Sequence, residues 1–278
     1  MTVINTNVNA MFSANALTVN SRALSSAMEQ LSTGSRINSA KDDAAGLAIS
    51  DKMTAQIRGL NMAVRNGNDG VSLLQTAEGS MIQQTSMLQR MRELAVQAAS
   101  DTTLSADKTN INTEFSALSA EIDRIGGNTQ WNGANLLDAS GGNASSGSYI
   151  FQVGANADQT ITVAIGDMST AGKLSAISAA DVSTSSGANS AITNIDTALA
   201  AIDTQRATLG AGINQLNYAV DNLTNVAQNA TSSRSAILDT DYAAATSKLA
   251  KAQIISQAAT AMMAQANQQP QSVLALLK

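Results

Sequence analysis

The amino-acid sequence predicts a mainly α-helical protein. Its expected form is a long antiparallel helical bundle with a β-hairpin, plus a two-helix coiled-coil stalk formed by the N- and C-terminal segments. Three observations carry this. Ile49, Met53, Ile57, Leu60, Val64, Gly67, Val71, Leu74, Glu78, Met81, Thr85, Leu88, Arg92 and Ala95 keep an almost unbroken four-then-three spacing, which puts one stripe on a helix and asks for partners along its length. A second regular run goes from Ile195 through Leu199, Ile202, Leu209, Leu216 and Leu223 to Ala230. Between them the period falls to two, and a single proline, Pro270, interrupts nothing before the C-terminal end.

Taken in order, residues 1–32 carry a thin stripe of Ile4, Val8, Met11, Leu17, Leu24, Met28 and Leu31 among Asn, Ser, Thr and Ala. So sparse a face orders only against a partner. Residues 33–45 read as a polar break in which Ser39 and Asp42 have the spacing of a capping box for the next helix. That helix has a second seam, Leu73, Ala77, Ser80, Gln84, Met87, Met91 and Leu94, so it needs neighbours on two sides. Met53, Met81, Met87 and Met91 fall at helical spacing and read as packing residues. After a break at 100–104, Ser105 is placed to cap a shorter helix with the stripe Ile111, Phe115, Leu118, Ile122 and Ile125, ended by Gly126 and Gly127. Tyr149–Val153 and Thr160–Ile165 alternate and predict a hairpin. Residues 166–190 are rich in Ser, Ala, Thr and Gly and predict an exposed, variable segment. The last stretch, with Leu249, Ala252, Ser256, Ala259, Met263 and Ala266, is thin again, and Pro270 is expected to stop it before the apolar tail.

The expected organisation follows: 1–40 with 240–278 as the stalk, 41–165 with 190–239 as the bundle and hairpin, and 166–190 outside. Composition narrows the chemistry. Apolar residues are 44% but aromatics only 3%, so the packing is thin and extended. Cysteine and histidine are absent from the sequence, which removes disulfides, thiol catalysis, thiolate and imidazole metal ligands and any serine–histidine triad. No cofactor, metal or catalytic residue is expected, and an enzyme has the least support. Net charge is −5, with no basic block to suggest nucleic acid and no apolar run near membrane-spanning length. No secretory signal peptide is read at the N-terminus.

The run LSTGSRINSAKDDAAGLAIS from Leu31 to Ser50 closely resembles the N-terminal signature of bacterial flagellins. QRMRELAVQ at 89–97 resembles a second flagellin motif, FQVGAN at 151–156 the family's hairpin, and AQANQQPQSVLALLK at 264–278 its C-terminal tail. The resemblance covers about 1–165 and 190–278. It departs in the middle, where family members often carry large outer domains and this chain has only 166–190.

The resemblance implies a structural subunit exported unfolded through the flagellar type III channel. The subunit polymerises into the extracellular filament for motility, with the terminal helices lining the tube. The implied partners are other copies of itself, an export chaperone, the filament cap protein, the hook–filament junction proteins and the flagellin-sensing Toll-like receptor. Nucleic acid and membrane insertion are not among them. On the same ground, Gln89, Arg90, Leu94 and Glu114 match the family's receptor-binding surface, while Gln215 stands where an arginine often occurs. Arg36, Lys41, Asp42 and Asp43 are the first choice for subunit-interface salt bridges; the bland reading of the Lys41-Asp42-Asp43 run is helix capping. Val273, Leu274, Leu276 and Leu277 are expected to dock in the tube wall. The alternatives are a hook–filament junction protein, with similar terminal helices, and a surface-binding adhesin, which would ordinarily show aromatics or charge clusters in 166–190.

Overall fold

A computed structural model of the chain describes residues 6–142 and 147–275, the side chains of 269–275 excepted. The elements are α1 (Val8–Thr33), α2 (Ala44–Ala99), α3 (Ser105–Asn128), β1 (Gln130–Trp131), β2 (Ala134–Asn135), β3 (Ser148–Gln152), β4 (Thr160–Ala164), α4 (Ser175–Ser178), α5 (Ser185–Leu238) and α6 (Tyr242–Ala275). The chain divides into two compact units, one of Met1–Ala55 with Asn229–Lys278 and the other of Gln56–Gln228.

The first unit is the stalk, in which α1 and α6 pair antiparallel. Asn7 donates from its side chain to the Ala266 carbonyl at 2.8 Å, and Asn20 to the Ala252 carbonyl at 2.7 Å. The α6 seam is the expected one, with Ala252 and Ala266 buried and Leu249, Ser256, Ala259 and Met263 half-buried. The α1 seam is rotated from the expected stripe. Ala10, Ser13, Leu17, Asn20, Leu24, Ala27 and Leu31 face inward, while Val8, Met11 and Met28 are exposed. Leu17, Leu24 and Leu31 keep their expected places; small and amide side chains at the other seam positions permit the close approach, while Val8, Met11 and Met28 stay outside. Ile4 lies outside the described residues.

Pro270 does not stop α6, which runs to Ala275. A proline here withholds an N–H from the carbonyl four residues back. That carbonyl belongs to Ala266, and it is the one that accepts from Asn7. The Asn7 side chain also accepts from the Ala10 N–H and so caps α1.

The break after α1 is ordered and belongs to the stalk unit. Gly34, at φ 71°, ends α1 in the left-handed conformation, with its N–H bonded to the Gln30 carbonyl. Ser35 and Asp239 form an antiparallel bridge, flanked by bonds from the Arg36 N–H to the Leu238 carbonyl and from the Thr240 N–H to the Gly34 carbonyl. Ile37 and Ser50 are buried, and Arg234 reaches the Thr54 hydroxyl. The unit therefore ends at Ala55 and resumes at Asn229, beyond the expected limits of 40 and 240. The cap of α2 is Asp43, whose side chain accepts from the Gly46 N–H at 2.9 Å. Asp42 instead takes the Ser39 N–H and hydroxyl, which closes a turn.

The second unit has the thicker core. Leu74, Met81, Leu88 and Met91 of α2 cluster with Phe115 and Ile122 of α3 and with Ile195, Ile202, Leu209 and Leu216 of α5. Full burial of each such side chain stabilises by roughly 1.5–3 kcal/mol. β3 and β4 pair antiparallel with Phe151 opposite Ile161, and Ile161 and Val163 point into the core. Leu104, rather than Ser105, precedes the first turn of α3 and makes no side-chain cap.

Two expectations fail here for one reason. Gly126 and Gly127 lie inside α3, which continues to Asn128. A Cβ on Gly126 would sit 3.0 Å from the Ser169 Cα and 3.1 Å from the Met168 carbonyl oxygen, so this glycine makes room for a crossing chain. The crossing chain belongs to 166–190, which is not the exposed loop expected: Met168, Leu174, Ile177 and Val182 are fully buried. Sparse apolar residues in a Ser/Ala-rich context gave no period to read, yet all four reach the core.

Candidate functional site

The QRMRELAVQ motif lies within the last third of α2, where two seams converge and only the remaining faces meet solvent. Gln89 and Arg90 are exposed, as is Glu114 on α3. Arg90 forms a network with two acids: its Nε and Nη2 donate to one oxygen of Glu114 at 3.1 and 3.0 Å, and its Nη1 to Glu93 at 3.0 Å. Bonds to Glu93 and Glu114 hold the Arg90 guanidinium above its ordinary pKa. Exposed pairs of this kind add little to stability, so the network fixes side-chain direction more than it stabilises the fold.

Leu94 does not join this surface. It is 2% exposed and belongs to the core cluster, because the inner seam of α2 includes it. Gln215 on α5 is exposed. The arginine nearest in sequence to Arg90 has its own partner: Arg92 Nε donates to Asp196 of α5 at 2.7 Å. That contact raises the arginine pKa and lowers the carboxylate's.

Among the expected interface residues, three already serve their own chain. Arg36 Nη2 donates to the Ile237 carbonyl at 2.6 Å, placing a cation on the end of α5. Asp42 closes its turn, and bonds chiefly from the Ser39 hydroxyl and backbone hold its carboxyl below the ordinary value. Asp43 caps α2. Lys41 is exposed. Leu276, Leu277 and the side chains of Val273 and Leu274 lie outside the described residues.

Two polar residues that composition did not single out organise the interior. Gln84 is fully buried and donates to the Met168 carbonyl at 3.0 Å and the Ile122 carbonyl at 3.3 Å. Gln205 is also buried; it donates to the Ala164 carbonyl at 2.8 Å and accepts from the Gly166 N–H at 3.2 Å. Both amides grip the chain leaving β4. Gln84 carried a signal, a glutamine on the expected inner stripe of α2, whereas Gln205 lies off the expected α5 stripe and carried none.

Among the described residues no group of acidic side chains is arranged to hold a metal ion. No helix among them is long and apolar enough to cross a membrane. What the arrangement offers is surface: long helices with two-sided packing, and a stalk whose outer faces carry Met11, Phe12, Val19, Ile254 and Met262, each more than half exposed. This is the build of a protein that packs laterally against others.

Comparison with known proteins identifies which. The bacterial flagellin N-terminal helical region matches residues 4–142 and the C-terminal helical region matches 192–277. The chain is 44% identical to a flagellin of Halalkalibacterium halodurans, covering 99% of this chain and 100% of that protein. It is 43% identical to a flagellin of Bacillus subtilis, covering 99% of each, and 42% identical to the flagellar filament 31.3 kDa core protein of Treponema maltophilum, covering 99% and 100%. The crystal structure of Bacillus cereus flagellin aligns with a TM-score of 0.51 at 31% identity, covering 57% of this chain and 88% of that one. The chain belongs to the bacterial flagellin family, a family of structural proteins and not enzymes.

Proposed function

We propose that this chain is the structural subunit of an extracellular bacterial flagellar filament, assembled for motility after export through the flagellar type III channel. The observation that carries the reading is the stalk. Among the described side chains, those that α1 and α6 bury are small, Ala27, Ala245, Ala252 and Ala266, while Phe12 is 72% exposed and Ile254 66%. Apolar faces of that kind are unfavourable in water and are covered when copies stack. Before stacking, the terminal segments offer a site to an export chaperone; at the filament's two ends, cap and junction proteins meet the same helices. Segment 166–190 borders the medium through its exposed residues, above a buried inner side.

The test is seeded elongation of purified monomer, followed by electron microscopy. Filaments growing from flagellin seeds support the reading; failure to grow turns it toward the junction protein. Deleting residues 1–30 is expected to abolish growth and leave the Gln56–Gln228 unit helical, because that unit has its own core.

A second reading concerns the flagellin-sensing Toll-like receptor. Gln89, Arg90 and Glu114 are exposed side by side and are its proposed contacts. Leu94 acts from below, as a core residue supporting α2. Arg90→Ala is expected to weaken receptor activation with unchanged circular dichroism. Equal activation by the variant would remove Arg90 from that surface.

A further inference from the structure

We infer that the outer stripe of α1 in one copy seats in the groove between α1 and α6 of a neighbouring copy, with Glu29 of one chain opposite Lys248 and Lys251 of the next. The inference rests on the filament reading and deepens it by naming the two faces that meet.

The stalk's internal seam leaves two other four-three stripes open. On α6, Lys248, Lys251, Ile255, Ala258 and Met262 keep that spacing and are all exposed. On α1, Phe12, Ala16, Val19, Ala23, Ser26 and Gln30 keep it too, all exposed but the half-buried Gln30. A groove of about 360 Å³ is lined by Ala23, Ser26 and Gln30 from α1 and by Lys248, Lys251 and Ile255 from α6. Because Asn7 meets Ala266 and Asn20 meets Ala252, Phe12 lies level with Met262 at one end and the two lysines mark the other. Paired heptad stripes around a groove are the seat of a third helix. The seat is apolar at one end and cationic at the other, and among the described residues neither lysine has an ion pair.

The occupant that matches is on the far side of α1. Val8, Met11, Asn15, Thr18, Arg22 and Glu29 share one stripe there, apolar at its start, with a cation at Arg22 and an acid, Glu29, at its end. Glu29 is exposed and likewise has no ion pair among the described residues. Met11 to Glu29 spans roughly 27 Å of helix, against roughly 21 Å from Met262 to Lys248. The mismatch is about one turn, within reach of Lys, Glu and Met side chains. The two faces differ, so each copy offers one and receives on the other, which propagates without closing.

The experiment compares seeded elongation by wild type, Glu29→Lys, the Lys248→Glu/Lys251→Glu pair and all three changes combined. Each reversal is expected to slow growth about tenfold, and the combination to return within about threefold of wild type. Growth of Glu29→Lys at the wild-type rate, or a combination no faster than its slower parent, overturns the inference. Wild-type protein that fails to elongate sinks the filament reading instead. A second measurement uses the absence of native cysteine: Thr18→Cys copies co-assembled with Ala258→Cys copies should give disulfide-linked pairs in filaments. Filaments that form without that link also overturn it.

Discussion

Replacing Gln84 by leucine tests whether one buried amide holds the chain leaving the hairpin. The side chain is fully buried and bonds to the Met168 carbonyl at 3.0 Å and the Ile122 carbonyl at 3.3 Å. Leucine is similar in volume, so the cavity cost is small. The Met168 carbonyl, itself in a fully buried residue, loses a donor at a cost of about 1–3 kcal/mol. The Ile122 carbonyl sits mid-helix in α3 and keeps its backbone donor, so it adds only a few tenths. One term opposes these: the Gln84 Oε1 is buried without a partner, and its removal recovers on the order of 1 kcal/mol of desolvation. The net destabilisation is about 1–2 kcal/mol. With a urea slope near 2 kcal/mol per M, the unfolding midpoint falls by about 0.5–1 M. Trp131, the one tryptophan, packs against this core and reports the transition by fluorescence. A midpoint at or above that of wild type would show that the amide does not secure the crossing chain.

The remaining expectations are briefer. Gly126→Ala gains about 1 kcal/mol of helix propensity, but its methyl meets the Ser169 backbone at 3.0 Å; net destabilisation by about 1 kcal/mol in the same urea assay is expected, and a rise in midpoint counts against close crossing. Asn7→Ala removes the α1 cap and uncovers the Ala266 carbonyl, so amide exchange near residue 270 should speed up about tenfold, for a loss near 1.4 kcal/mol. Asn20→Ala should change exchange far less, since the Ala252 carbonyl lies within an unbroken helical ladder. The Asp42 turn should depend on pH. The folded carboxyl titrates below its unfolded value, so its contribution is present above the unfolded pKa and is lost as pH falls through the folded one. The protection factor of the Ser39 amide should hold from neutral pH down to about pH 4 and fall below it; a protection factor that does not fall there argues against the bond.

What the sequence made legible follows from periodicity. The α2, α5 and α6 stripes are long, and every four-three repeat adds to the same signal, so most of the inward faces could be named, although Ile49 and Arg92 of the expected α2 stripe are exposed. The hairpin was readable because Ile161, Val163 and Ile165 alternate. The α1 seam was only partly assigned: Leu17, Leu24 and Leu31 face α6 as expected, but Ala10, Ser13, Asn20 and Ala27 complete the seam in place of Val8, Met11 and Met28, and hydrophobicity alone does not select small and amide residues. Segment 166–190 was misread because four isolated apolar residues make no period, and their burial depends on glutamines distant in sequence. A second small hairpin, β1 with β2, was also passed over, although Asn132 and Gly133 have φ 49° and 80° and form the Asn-Gly turn such hairpins favour. Gln89, Arg90 and Glu114, which the resemblance matched to a receptor-binding surface, are exposed side chains. Leu94 was named both as seam and as surface, and it can occupy only one of them.

The bond between residue 7 and residue 266 makes the two extremities of the polypeptide conditional on each other. The ring at position 270 strips a partner from one rung of α6, and the replacement arrives from a helix made at the opposite end of synthesis. A copy missing either extremity therefore has a gap that its own helix does not fill. Pairing of α1 with α6 thus supplies, through one side chain, a hydrogen bond that the proline withholds within its own helix.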